Sequence, residues 1–171
     1  MNDYLDRRFM LIMLFSFIFL VGYLTAVANQ TYTTASIQTA NKVRQAIEEE
    51  RQTITAQEIF LNNLIVSISL TVPLIGLIPF LVTWHNTAVT IGLLSKAYAI
   101  PPTTSIMNLI TLAFPELLAY TVIMSENIYV SLLTILRLGA KQRVTSQSWK
   151  SLILYLILLW IGAITEVMCI A

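Results

Sequence analysis

The chain has 171 residues, of which 57% are hydrophobic and 11% are charged, and its mean hydropathy is +0.76. Soluble domains carry about 25% charged residues, so this composition excludes a water-soluble domain and predicts an all-α, polytopic transmembrane helical bundle. The net charge of +1 leaves no basic stripe for binding nucleic acid. One cysteine, Cys169, and one histidine, His85, exclude an internal disulfide and a cysteine- or histidine-rich metal or haem site. We therefore expect no cofactor and no metal.

The first apolar segment runs from Phe9 to Ala28 and follows the basic pair Arg7-Arg8. About 20 apolar residues suffice to cross the hydrocarbon core. The triplet Ala26-Val27-Ala28 also resembles a signal-peptide cleavage site. We interpret residues 1–28 as a retained transmembrane anchor, with its N-terminus in the cytoplasm by the positive-inside rule.

Residues 29–58 form the only substantial hydrophilic stretch, which we expect outside the cytoplasm. Apolar side chains recur there at helical spacing, at Ile37, Ala40, Val43, Ile47 and Ile54. This spacing predicts an amphipathic helix over Ala40 to Gln57 that lies on the bilayer or packs on the bundle. The alternative is a docking helix for a partner protein. Asn29-Gln30-Thr31 fits the N-glycosylation pattern and lies very close to the predicted membrane segment.

Residues 59–171 form the predicted membrane core, and its first span runs from Phe60 to Trp84. Pro73 and Pro79 each remove a backbone donor and bend the helix. Polar side chains at a spacing of four residues predict a seam of interhelical hydrogen bonds. That seam consists of Asn63, Ser67 and Thr71.

The next stretch, Asn86 to Arg137, is apolar but broken by Pro101-Pro102 and by Pro115. Broken helices are tolerated at membrane depth only where protein buries them or where they line a cavity. We expect this stretch to cross the membrane twice, with one crossing broken at Pro115. A re-entrant hairpin followed by one crossing is the second interpretation.

Glu116 is the leading candidate for a functional side chain, because intramembrane ionisable residues usually face partners or water. On a helix that begins at Pro115, Glu116 shares a face with Tyr120 and Asn127. Lys96 is its most plausible counter-charge, unless that ammonium extends to an interface. The structural alternative is that Glu116 satisfies the free amides of the first helical turn.

The loop from Arg137 to Lys150 contains four basic residues and no acid, which places it in the cytoplasm. The last span runs from Ser151 to Ile170, with Glu166 near its outer end. Together the segments predict about five membrane crossings, with the C-terminus outside the cytoplasm.

The order of these segments resembles the stage II sporulation protein M family of small integral membrane proteins. The residues that carry the resemblance are Ile59-Phe60-Leu61-Asn62-Asn63, Asn86 with Ile91-Gly92, and Glu116-Leu117 followed by Ala119. The resemblance covers roughly residues 58 to 170. The Pro-His-Gly part of the family pattern is absent: Thr111-Leu112-Ala113 stand at that position.

The resemblance implies a non-enzymatic membrane scaffold or assembly factor, since the namesake acts as a scaffold for cell-wall hydrolases during sporulation. The expected partners are the lipid bilayer and either partner membrane proteins or further copies of this chain. The alternative function is a membrane subunit of a transporter or channel assembly, because discontinuous helices often mark a transport site. An intramembrane enzyme is not predicted, because the sequence shows no Ser/His dyad, no paired aspartates and no histidine cluster.

Overall fold

The computed structural model describes residues 7–51 and 54–170, and this part of the chain is all-helical, without strands. The predicted fold class is therefore confirmed. Residues 1–6 and Ala171, on which the predicted position of the two termini depends, lie outside the described residues. The helices are α1 (Arg7–Thr34), α2 (Ile37–Arg51), α3 (Ala56–Ser67), α4 (Leu77–Ala97), α5 (Pro102–Leu112), α6 (Phe114–Ile135), α7 (Ala140–Arg143) and α8 (Trp149–Ile170).

Within the described residues, four helices are long and apolar enough to cross a membrane. They are Arg7–Thr34, Leu77–Ala97, Phe114–Ile135 and the continuous helical stretch Ala140–Met168. The helices α3 and α5, with 12 and 11 residues, are each shorter than the roughly 20 residues that a full span needs. The expected number of about five segments thus becomes four full-length spans and two short helices.

The predicted span from Phe60 to Trp84 is not one helix, and this boundary was wrong. Helix α3 ends at Ser67, a 3-10 turn covers Ile68–Thr71, and α4 begins at Leu77. Pro73 lacks a backbone donor, and the following Leu74 adopts a left-handed φ of 72°. Gly76 then packs so closely that an added Cβ would lie 1.9 Å from the Ser69 carbonyl oxygen. The chain reverses there, and α4 continues past Trp84 to Ala97.

The prolines of the next stretch act as the sequence predicts. Helix α5 begins at Pro102, and Pro115 lies in the first turn of α6. Proline fits this position because the first-turn amides have no intrahelical acceptor. Helix α6 then runs without a break to Ile135 and contributes the most deeply buried run of side chains in the bundle.

The hydrophilic stretch forms two helices instead of the predicted single helix from Ala40 to Gln57. Helix α2 ends at Arg51, so Ile54 is not part of its apolar face. A new helix, α3, begins after Thr55, whose hydroxyl accepts a hydrogen bond from the Glu58 amide at 3.3 Å. The Glu58 carboxylate in turn accepts a hydrogen bond from the Thr55 amide at 2.8 Å, which completes a capping box. Local capping therefore overrides the continuous apolar periodicity.

The bundle core forms where α1 and α4 pack side by side and α6 packs against α8. Along the first pair, the Trp84 indole donates to the Leu20 carbonyl at 3.2 Å. A Cβ added to Gly92 would lie 2.5 Å from the Ala28 carbonyl oxygen, so the two backbones nearly touch. The aromatic rings of Phe80, Trp84 and Tyr120 fill the centre, with centroids 5.6–5.8 Å apart.

Contacts between helix termini define two ends of the bundle. At the Arg143 end, the start of α1 meets α7 and the start of α8, since Phe9 contacts Arg143. At the Lys96 end, the last turns of α1 and α4 meet, since Lys96 lies 6.0 Å from the Tyr32 ring. Helix α2 and the last turns of α8 also lie at this end, where Glu48 and Glu166 line one cavity.

Candidate functional site

The most elaborate polar arrangement lies at the Arg143 end, around Glu126 of α6. The Arg143 guanidinium binds its carboxylate with two hydrogen bonds, from Nε to Oε1 at 3.0 Å and from Nη2 to Oε2 at 2.7 Å. The hydroxyls of Ser148 and Ser151 each donate to one carboxylate oxygen at 2.7 Å. Both charged side chains are buried, with 6–7% of their surface exposed. Four donors therefore saturate the Glu126 carboxylate.

Aromatic rings enclose the guanidinium from the other side. The Arg143 Cζ lies 4.8 Å from the centroid of the Phe9 ring and 5.0 Å from that of Tyr129. An arginine over aromatic faces gains cation–π attraction, which is larger in a desolvated site. Through this contact the ion pair connects the start of α1 to α6 and to the loop before α8.

Asn127, one residue further on α6, serves the broken segment between α3 and α4. Its side-chain amide donates to the Leu70 carbonyl at 2.8 Å and to the Val72 carbonyl at 2.7 Å. Next to it, the Ser131 hydroxyl accepts a hydrogen bond from the Leu74 amide at 2.7 Å. The bonds to the Leu70 carbonyl and from the Leu74 amide satisfy backbone groups that the interruption at Pro73 leaves without helical partners, a requirement for irregular backbone at membrane depth. The Val72 carbonyl also accepts a hydrogen bond from the Gly76 amide at 3.0 Å.

Glu116 lies in the first turn of α6, as predicted, four residues before Tyr120 on the same helix face. Helix α8 passes very close to it, since a Cβ added to Gly162 would lie 2.9 Å from the Glu116 Cβ. Glu166 follows Gly162 by one helical turn on α8, which places a second carboxylate at this end of the bundle. A cavity of about 50 Å³ adjoins Glu116 and Tyr120, and one of about 340 Å³ adjoins Glu166. Ala113, at the junction of α5 and α6, lines both.

Lys96 does not pair with Glu116. Lys96 lies in the last turn of α4, and its ammonium lies over the ring of Tyr32 in α1. Neither of the two ion pairs found among the described residues includes Lys96. A lysine in the last turn is favoured by the negative end of the helix dipole. The predicted pair is thus replaced by one between Glu126 and Arg143.

Asn63 lies partly buried on α3, and its carbonyl accepts a hydrogen bond from the Ser67 hydroxyl. Ser67 also hydrogen-bonds to the Tyr155 hydroxyl of α8, which is the interhelical contact expected of this seam. Thr71 instead donates to the Ile68 carbonyl within its own turn, at 2.7 Å. Of the seam, Ser67 is the member that joins α3 to α8.

Sequence reasoning did not select Arg143, Ser148 or Ser151 as partners of Glu126. Arg143 stood among four basic residues of an apparently exposed loop. One signal was available: Ser148 and Ser151 lie three residues apart, on the same side of the start of α8.

Comparison with models of protein families, curated proteins and solved structures finds no match to this chain.

Proposed function

We propose that this chain is a non-enzymatic integral membrane scaffold or assembly factor, in line with its resemblance to the stage II sporulation protein M family. The observation that carries the proposal is the charged helix α2, which is fastened to the membrane bundle by one face and exposed on the other. Such a helix presents a fixed polar surface to a partner protein next to the membrane.

The attachment of α2 rests on both apolar and polar contacts with α4. Ala40 is fully buried, and Ile47 lines the cavity between the two helices. The Tyr98 hydroxyl donates to the Glu48 carboxylate at 2.8 Å, and Arg44 lies 5.6 Å from the Tyr98 ring centroid. These contacts fix the orientation of α2 relative to the bundle.

The outward face of α2 carries Gln45 and Glu49, which are exposed. An exposed carboxylate on a fixed helix favours a partner with a basic surface, since complementary charge guides orientation and encounter. The interior supports the same conclusion, because Glu126 and Asn127 are occupied by structural partners.

A site-specific photo-crosslinker at Glu49, in the full-length protein in its native membrane, tests this function. We expect one defined polypeptide to be cross-linked from Glu49 and not from Ile153, a control position on α8 that is 49% exposed. A Glu49→Lys variant should weaken recovery of the same polypeptide in mild detergent. Equal cross-linking from both positions, or none from either, would reject the scaffold.

A membrane subunit of a transport assembly is the second candidate. It is supported by the two cavities that meet at the break between α5 and α6, where Glu116 and Glu166 line their walls. Discontinuous helices with ionisable groups are common at transport sites. A nucleotide-binding ATPase as the cross-linked polypeptide would favour this candidate over the scaffold.

We further propose that the Arg143 end faces the cytoplasm and that α2 lies on the opposite side of the cell membrane. The support is the cluster of basic residues before α8 and at the start of α1. After removal of Cys169, an impermeant thiol reagent added outside intact cells should label Gln45→Cys and not Lys141→Cys. Labelling of Lys141→Cys alone would invert the orientation.

A further inference from the structure

The Arg143 end of the bundle carries a strong excess of positive charge. Glu126 is the one acid that the structure describes there, and Arg143 neutralises it. The other described acids lie in α2, at the start of α3, in the first turn of α6 and in the last turns of α8. Asp3 and Asp6 lie outside the described residues. The remaining basic side chains at this end are Arg7, Arg8, Arg137, Lys141 and Lys150.

A lateral groove of about 350 Å³ opens on the bundle surface at this end. It lies between the 3-10 turn, α6 and the start of α8, and most of its lining is apolar. The apolar walls are formed by Leu70, Pro73, Ile123, Val130 and Leu152. The polar groups of Glu126 and Asn127 in the groove are already hydrogen-bonded within the protein. The groove therefore suits an apolar chain more than a polar solute.

An aromatic side chain lines the mouth of the groove, and basic residues adjoin it in sequence. Val144, Ser148 and Trp149 line it there, and the Trp149 side chain is 53% exposed. Lys141 precedes Val144 by three residues, so these two share one face; the chain then passes through a π-helical turn over Val144–Ser148. The Lys150 ammonium lies 5.7 Å from the Trp149 ring centroid and donates to the Gln147 side chain at 3.0 Å.

We propose that this groove and the basic residues beside its mouth bind an anionic phospholipid. The phosphate lies beside Trp149, where the Lys150 ammonium is close to the ring and Lys141 adjoins Val144 on the same rim; one acyl chain follows the apolar walls. Basic pockets between transmembrane helices bind anionic headgroups, and tryptophan favours the headgroup level. The site requires only that the bundle lies in a bilayer and does not depend on the scaffold role.

Native mass spectrometry of the full-length protein tests the proposal, with phosphatidylglycerol and phosphatidylcholine of identical acyl chains as competing probes. We expect several-fold preferential retention of phosphatidylglycerol. Lys141→Gln and Lys150→Gln should each reduce the preference about fivefold, the change equivalent to ~1 kcal/mol per basic side chain. Lys42→Gln, an exposed lysine of α2, should leave it unchanged.

A second pair of variants tests the groove itself. Leu152→Trp fills the groove and should lower retention of phosphatidylglycerol, whereas Leu154→Trp, on the other side of α8 and 39% exposed, should not. Glycerol 3-phosphate should not compete, since it lacks the acyl chain. Equal retention of the two lipids by the wild-type protein would overturn the proposal, as would competition by glycerol 3-phosphate or an equal loss in Lys42→Gln.

Discussion

Two glutamates on α6, ten residues apart, occupy opposite ends of the bundle and very different surroundings. Glu126 accepts four hydrogen bonds, two from Arg143 and one each from Ser148 and Ser151. Glu116 lies one turn before Tyr120 and adjoins a cavity, and a second carboxylate, Glu166, lies at the same end of the bundle. The Glu126 carboxylate is therefore part of a closed structural joint, whereas the Glu116 carboxylate adjoins open space.

The comparison shows that the role of a carboxylate within the bundle depends on the groups that donate hydrogen bonds to it. Glu126 joins three segments that are distant in sequence, because its partners come from α7 and α8 and the guanidinium contacts α1. Glu116 instead adjoins a cavity, which leaves room for its side chain to rearrange. We expect substitutions of the Glu126–Arg143 pair to affect stability and substitutions around Glu116 to affect local opening and binding.

The largest effect should follow from breaking the Glu126–Arg143 pair. Arg143→Met leaves a buried carboxylate without its charge partner, and such changes typically cost about 3–5 kcal/mol. We expect a large loss of thermal stability in detergent, measured by the unfolding temperature. The double variant Glu126→Leu with Arg143→Met should recover much of the loss, because no unpaired charge remains.

Arg44→Met is the matched control, since the Arg44–Glu48 pair is half-exposed and its atoms are 3.7 Å apart. Exposed pairs contribute about 0–1 kcal/mol, so this variant should unfold near the wild-type temperature. If Arg143→Met and Arg44→Met were equally stable, the Arg143 end would not be the structural joint.

The next largest effect should come from adding a methyl group to the close contact between α1 and α4. In Gly92→Ala the new methyl group would lie 2.5 Å from the Ala28 carbonyl oxygen and 2.7 Å from the Thr31 Cβ. Overpacking of this kind typically costs about 1–3 kcal/mol. Gly22→Ala is the control, because nothing lies within 4 Å of its added Cβ. The changes in unfolding temperature that the two substitutions cause should differ in sign or clearly in size.

The general architecture was accessible from the sequence because hydrophobic length and proline positions act locally. The long apolar helices α1, α6 and α8 and the helix start at Pro115 follow directly from such signals, whereas α4 does not, since the sequence placed a span at Phe60 to Trp84. The reversal around Pro73 was not accessible, because it depends on Asn127 and Ser131 of a distant helix supplying hydrogen-bond partners. The Glu126–Arg143 pair was missed for the same reason: tertiary contacts select one arginine from a basic loop.

A smaller effect is expected from Ile47→Glu, which places a charge in the cavity between α2 and α4. Burying an isoleucine fully contributes about 1.5–3 kcal/mol, and Ile47 is only partly buried, so the loss should be below that range. The measurement is hydrogen exchange of the α2 amides, which should accelerate. Glu49→Ala, on the exposed face, should leave the exchange unchanged; equal behaviour of both variants would contradict the attachment of α2.

The smallest effect concerns the start of α3, which is exposed and lies outside the four long spans. Hydrogen bonds from the backbone amide of Thr55, and then from its hydroxyl, hold the pKa of the Glu58 carboxyl below its usual value. Because the pKa is lower in the folded state, the stabilisation is present above the ordinary glutamate pKa of about 4.3 and is lost as the pH falls through the folded value. The protection of the amides in residues 56–60, measured against the intrinsic exchange rate at each pH, should therefore fall at low pH by more than in Glu58→Gln, whose side chain still accepts the hydrogen bonds but does not titrate. Thr55→Ala should show faster exchange already at neutral pH, and an acid response identical in wild type and Glu58→Gln would contradict the capping box.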